Sequence, residues 1–335
     1  MSSGSPLQSR VMLLAGDVGG TKTFMGLFAR GAPRPEASTT RAYRTLDFAS
    51  LGEIAQQFLR EAGTSASEIE AASFGVAGPV TARRAYLTNV PWIVEADAIE
   101  RELPVRKVHL LNDLEALGWS VAVLNRGELE VLREGQENPF GNAALIAAGT
   151  GLGIALLTNV DGRLVPRASE GGHADFAARN ADEHALSDAL TREYGRTDVE
   201  RVVSGPGIAN IHRILFAHQC GAMTPLPDAS DLPATISRSA LESGCPSCMR
   251  TLELFVSAYG AAAGNLALTA LATGGLYLGG GIAPKILPAL RSAVFMEAFV
   301  SKSPMHEVLG RIPVKVILNP RAGLLGAATY ASLAG

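Results

Sequence analysis

The sequence predicts an α/β protein built from two similar halves that face each other across a cleft. Three observations carry this reading. A glycine-rich turn between two short apolar runs opens the chain in "LLAGDVGGTKTFMGLF", residues 13–28. The arrangement returns in "ALIAAGTGLGIALL", residues 144–157. A third cluster, Gly279-Gly280-Gly281, again follows an apolar run and precedes a helical pattern. In open α/β sheets ligands lie beyond the carboxyl ends of the strands, so loops of this kind mark the edge where a site forms.

The runs after the first two turns, Phe24–Phe28 and Ile154–Leu157, are of strand length rather than helix length, so both turns read as strand-turn-strand hairpins. That excludes two better-known glycine motifs. A P-loop needs glycine before its Lys-Thr pair, and Thr21 stands before Lys22-Thr23. A dinucleotide fingerprint fits Gly149 and Gly151 but meets Ile154 where its last glycine belongs. Successive backbone N–H groups in either turn still form an anion-binding nest.

The elements follow in order. Val11–Ala15 and Phe24–Phe28 are strands, and Leu51, Ile54, Ala55, Phe58 and Leu59 fall at helical spacing. "AASFGVAGPV" reads as a buried strand ending in a Gly-Pro turn, "VRKVHLLND" as another strand, and "LEALGWSVAVLN" as the helix after it. The second half opens with its own hairpin. A helix-rich section from about Ala181 to Gly264 contains the proline-rich loop "AMTPLPDASDLP". The strand "GGLYLGGG", a helix beginning near Pro284, the strand "IPVKVIL" and the closing helix "AGLLGAATYASLA" complete the chain. The expected division is a small discontinuous domain, 10–111 plus 318–335, and a larger one, 112–317.

Bulk properties narrow the function. A chain of 335 residues that is 47% hydrophobic suits two cores. A net charge of −3 argues against nucleic acid as a partner. Three cysteines make no disulfide framework and suit a reducing cytoplasm. The polar start has no signal-peptide pattern. The Ala/Gly-rich stretch "SAYGAAAGNLALTALATGGLYLGGG" carries Asn265 and is broken at Gly274-Gly275, so it reads as a buried helix and strand rather than a membrane span.

Several side chains have the chemistry of a site. Asn112-Asp113 ends a strand and opens a helix, where Asp113 suits either an N-cap or a carboxylate that takes a proton from a hydroxyl. "SEGGHADF" sets Glu170 and His173 around a Gly-Gly turn, either as a solvated loop or as groups that hold hydroxyls. Glu200 in "VERVVSGPG" reads by itself as an ordinary exposed glutamate. Cys245-Pro-Ser-Cys248 has no second cysteine pair to complete a zinc site, so both are structural thiols. Ser204 lacks the preceding glycine of a nucleophile elbow.

Taken in order, "GDVGGTKT", "LTNVPW", "LLNDLEA", "AAGTGLG", "SEGGHADF", "ERVVSGPG" and "GGGIAP" resemble the bacterial glucokinases of the hexokinase/actin-like superfamily, over about residues 13–330. The resemblance implies two actin-like (ribonuclease H-like) α/β domains closing over sugar and nucleotide, and a homodimer. It implies ATP-dependent phosphorylation of glucose at the 6-hydroxyl in the cytoplasm. Asp113 would be the general base, and Asn112, Glu170, His173 and Glu200 would hold the other sugar hydroxyls. Gly16, Asp17, Val18, Gly19, Gly20, Thr21 and Lys22, with Gly149, Thr150 and Gly151, would cradle phosphates. Gly279, Gly280 and Gly281 would lie beside the adenosine, and Asp17 would sit near Mg2+ through water. A kinase for mannose or an N-acetylated amino sugar, and a sugar-sensing regulator without catalysis, are the alternatives.

Overall fold

The computed structural model describes residues 12–87, 90–216 and 231–335. Val11, Thr88 and Asn89 of "LTNVPW", and residues 222–230 of the proline-rich loop lie outside the described residues. The chain forms two compact units: the stretch up to Asn125 with Asn319–Gly335, and Arg126–Leu318.

The first unit is built on a five-stranded sheet. Its strands are β1 (Met12–Val18), β2 (Lys22–Ala29), β3 (Glu36–Arg44), β4 (Ile69–Val76) and, after a small three-stranded sheet of β5 (Val80–Thr81), β6 (Arg84–Tyr86) and β7 (Ile93–Glu95), β8 (Val108–Asn112). The order is β3-β2-β1-β4-β8, antiparallel through the first three strands and parallel from β1 onward. The apolar runs β1 and β4 are central and buried on both faces. Strand β3 lies at the edge with almost no buried residue, so its sequence "EASTTRAYR" carries no apolar signal and escapes the pattern reading. Helix Leu51–Ala62 begins at Ser50, whose hydroxyl accepts from Glu53 N–H at 3.1 Å, and stops at Gly63 in a left-handed conformation. Leu51, Ile54, Ala55, Phe58 and Leu59 form its buried face.

The closing helix, Ala322–Ala334, packs against β1, β4 and the helix Asp113–Ser120. The two helices approach at backbone distance: a Cβ on Gly326 would stand 1.7 Å from the Ala116 carbonyl oxygen. That contact keeps residues 112–125 with the first unit, so the chain leaves it after Asn125 rather than after residue 111.

The second unit repeats the plan. Its sheet holds β9 (Leu129–Arg133), β10 (Ala143–Ala148), β11 (Leu152–Val160), β12 (Arg163–Ser169), β13 (Gly275–Gly279) and β14 (Val314–Ile317), in the order β12-β11-β10-β13-β14-β9. Antiparallel β12, β11 and β10 again lead into parallel β13 and β14. The edge strands β9 and β12, half exposed, are absent from the pattern reading for the same reason as β3. The membrane-like stretch is a buried helix, Pro246–Ala270, followed by β13. Gly260 and Gly264 on that helix let the segment Ala293–Val300 pack directly on it: a Cβ at either position would lie 2.3 or 2.4 Å from the carbonyl oxygen of Phe295 or Phe299. Among the described residues no helix is long and apolar enough to cross a membrane. Near Pro284 the expected helix is two short turns, Ala283–Ile286 and Leu287–Leu290.

Candidate active site

In the first unit the carboxyl ends of β1, β4 and β8 lie side by side, with Val18 paired to Val76 and Val76 to Asn112. The turn after β1 is closed by Gly19 N–H donating to the Lys22 carbonyl at 3.1 Å. It is pinned from the end of β3. Thr45 N–H donates to the Thr21 carbonyl at 3.1 Å, and Thr45 Oγ1 donates to the Gly19 carbonyl at 2.8 Å. Thr45 also pairs with buried Thr23, hydroxyl to hydroxyl, at 3.0 Å. Sequence reasoning missed Thr45; its place becomes visible only when β3 pairs with β2. Gly16 has no room for a side chain, since a Cβ would lie 2.6 Å from the Phe74 ring. Gly20 is partly buried and Thr21 exposed; the exposed Lys22 has its ammonium 5.7 Å from the Phe24 ring centroid.

Asp17 pairs in register with Gly75 on β4. A Cβ on Gly75 would sit 3.8 Å from Asp113 Cα, so the two aspartates share one corner of the sheet. Burial of the Asp17 carboxyl, with the charge of Asp113 beside it, raises the Asp17 pKa to about 6. On the other side stands Gly323, in the first turn of the closing helix, where a Cβ would be 2.8 Å from Asp17 Oδ2. The helix N-cap is Asn112: its Oδ1 accepts from Leu114 N–H at 2.9 Å while its Nδ2 donates to the Gly78 carbonyl at 3.1 Å. Asp113 is therefore the first helical residue rather than the cap, although its Oδ1 also accepts from Leu114 N–H at 2.9 Å. A carboxylate in the first turn is favoured by the helix dipole.

The second unit brings its own set together. Gly149 N–H donates to the Gly151 carbonyl and Gly205 N–H to the Gly149 carbonyl, both at 2.8 Å. Thr150 is exposed at the tip of this turn. Glu200 reaches it, accepting from Leu152 N–H at 2.7 Å. A Cβ on Gly151 would stand 2.6 Å from Glu200 Oε2, so this glutamate is part of the glycine turn's support and not an ordinary surface residue. Gly279 ends β13 opposite Ala147. Gly280 follows with φ of 81° and no space for a Cβ, which would be 2.3 Å from the Ala148 carbonyl oxygen. Gly281 is exposed. The second and third glycine clusters thus meet at Ala148.

Glu170 and His173 frame a single helical turn, Gly171–His173, beyond β12. The Gly172 carbonyl accepts from Glu200 N–H at 2.9 Å, which fastens this loop to Glu200. His173 Nδ1 lies 3.1 Å from Oδ2 of Asp198, whose side chain is buried while the imidazole is half exposed. With the carboxylate accepting from Nδ1–H, the neutral ring presents Nε2 as an acceptor. Sequence reasoning missed Asp198, two residues before Glu200, because nothing local connects it to His173. Cys245 and Cys248 are packed into the second unit's core.

Two α/β units, each with a three-stranded antiparallel edge, parallel strands and glycine turns at their carboxyl ends, follow the plan of the actin-like ATPase fold. The chain belongs to the glucokinase family: the glucokinase family model matches residues 14–334. It is 39% identical to a glucokinase of Nostoc punctiforme over 96% of this chain and 99% of that one. The structure of a glucokinase from an Antarctic psychrotroph aligns with a TM-score of 0.83 at 30% identity, covering 96% of this chain and 98% of the other. A ROK family glucokinase from Streptomyces griseus, in complex with glucose and AMPPNP, shares the fold with a TM-score of 0.66 at 20% identity, over 96% and 99% of the two chains.

Proposed function

We propose that this protein transfers the γ-phosphoryl group of ATP to the 6-hydroxyl of glucose, with Asp113 as general base. The observation that carries the reading is the placement of Asp113 at the carboxyl end of β8, with its charge felt by Asp17 beside the first glycine turn. In this reading Asp113 takes the hydroxyl proton as the sugar oxygen bonds to the γ-phosphorus. The bond from that phosphorus to the oxygen bridging the β-phosphate breaks, and ADP leaves with the electron pair. Phosphoryl transfer asks the protein mainly for alignment and for stabilisation of charge. The glycine turns at 16–22 and 149–151 cradle the phosphates and supply the second, and Gly279–Gly281 lie along the adenosine.

Asn112, Glu170, His173 and Glu200 hold the remaining sugar hydroxyls. The Asp198 contact supports His173 as an acceptor through Nε2. Glu200 has one oxygen committed to Leu152 N–H and its other for the sugar. The buried Asp17 carboxyl, beside the charge of Asp113, suits a divalent cation, and Asp17 would hold Mg2+ through water. When bound, the ion offsets charge on the phosphate oxygens. Family membership supports a homodimer.

The test is steady-state ADP release across sugars and nucleotide donors. Turnover with glucose and ATP well above that with mannose or N-acetylated amino sugars is expected. A preference for another hexose would change the substrate, and no turnover with any sugar would leave a non-catalytic sensor.

A further inference from the structure

A cavity of about 520 Å³ lies within the first unit, outside the groups described above. Its size is that of a small-molecule site, for which roughly 300–1,000 Å³ is usual. Phe28 and Thr40 of β2 and β3 line one side, and Leu324 and Leu325 of the closing helix another. Its charged residues are Arg34, Arg321 and Glu36, a net charge of one positive. Arg321 is exposed and held in place: its Nη1 donates to Thr40 Oγ1 at 2.5 Å, and its guanidinium carbon lies 5.9 Å from the Phe24 ring centroid. A guanidinium carries five N–H donors, and only one of them serves Thr40. Arg321 thus pairs an oriented cation with an apolar lining.

The cavity is lined by the residue at which the chain returns to the first unit, and one of its lining residues bonds to the segment by which the chain leaves it. Arg34 Nη1 donates to the Val123 carbonyl at 3.0 Å, two residues before the first unit ends at Asn125. Asn319, the first residue after the return, lines the cavity, and its Oδ1 accepts from Arg321 N–H at 2.8 Å.

We propose that this cavity is an effector site for a small organic anion, an apolar body carrying one carboxylate or phosphate group, and that its occupancy alters catalysis through the two connecting segments. The anion pairs with Arg321, and its apolar part lies against Phe28, Leu324 and Leu325. Glu36 opposes it and limits its affinity.

The experiment titrates the full chain with phenyl phosphate and with phenylacetate by calorimetry, with and without saturating ATP, and measures kcat and both KM values at each probe concentration. Binding of at least one probe at millimolar concentration, undisturbed by ATP and accompanied by a change in kcat or KM, is expected. Arg321→Gln should weaken it roughly tenfold or more, the order of one charge-assisted hydrogen bond, and Glu36→Gln should tighten it. Both positions are exposed, so neither change threatens folding. No binding, binding that ATP removes and Arg321→Gln leaves intact, or binding without kinetic effect would each overturn the proposal. The binding arm does not depend on glucose being the substrate.

Discussion

Asp17 is buried beside Asp113 in one corner of the first sheet: burial is the larger cost of ionising Asp17, and repulsion from Asp113 adds to it. Its folded pKa of about 6 lies above the ordinary 3.8, so the native state holds this proton more tightly than the unfolded chain does. Below pH 4 the carboxyl is protonated in both states and costs nothing. As pH rises toward 6 stability is lost, and above 6 the cost is complete, up to about 3 kcal/mol. Asp17→Asn should therefore be more stable than the parent at pH 8 and equal to it near pH 4. Urea denaturation at the two pH values checks this, and an unchanged midpoint at pH 8 would refute it.

Removal of the proposed base should act on the chemical step. Asp113→Ala is expected to lower kcat by about 10²–10⁴-fold while glucose affinity, measured by calorimetry, changes little. Because Asn112 and not Asp113 caps the helix, the substitution leaves the main cap bond intact. A mutant that retains near-parental kcat would remove Asp113 from the mechanism.

In the proposed sugar site Asp198 acts through His173. Asp198→Asn deprives Nδ1–H of its carboxylate acceptor and allows the ring to turn or change tautomer. The expected result is a rise in the KM for glucose of roughly tenfold or more, the order of a hydrogen bond to a charged group, with the KM for ATP little affected. Equal losses in both constants would indicate a general structural role instead.

Gly280 is required by its backbone. Gly280→Ala places a Cβ against the Ala148 carbonyl at a left-handed position and should cost roughly 1–3 kcal/mol from backbone strain alone. Gly281→Ala, with nothing within 4 Å of the added carbon, is the matched control for thermal unfolding.

Much of the architecture is legible in the residue pattern, because apolar runs, caps and turns are encoded within a few positions. The two hairpins, the buried face of helix Leu51–Ala62 and the broken helix-strand stretch ending at Gly279 all follow from local spacing. The strands β3, β9 and β12 do not, since edge strands bury too little to leave an alternation.

The candidate site divides in the same way. Its glycine turns and Asp113 can be read from the chain, since each is a compact local motif. Folding alone brings Thr45 to the first turn, Glu200 to the second, Asp198 to His173, and the closing helix with Gly323 to Asp17. Such partners lie between 24 (Thr45 and Thr21) and 306 (Gly323 and Asp17) positions apart. No short-range propensity selects them; they are chosen by the packing of whole sheets and helices, which a linear pattern does not encode.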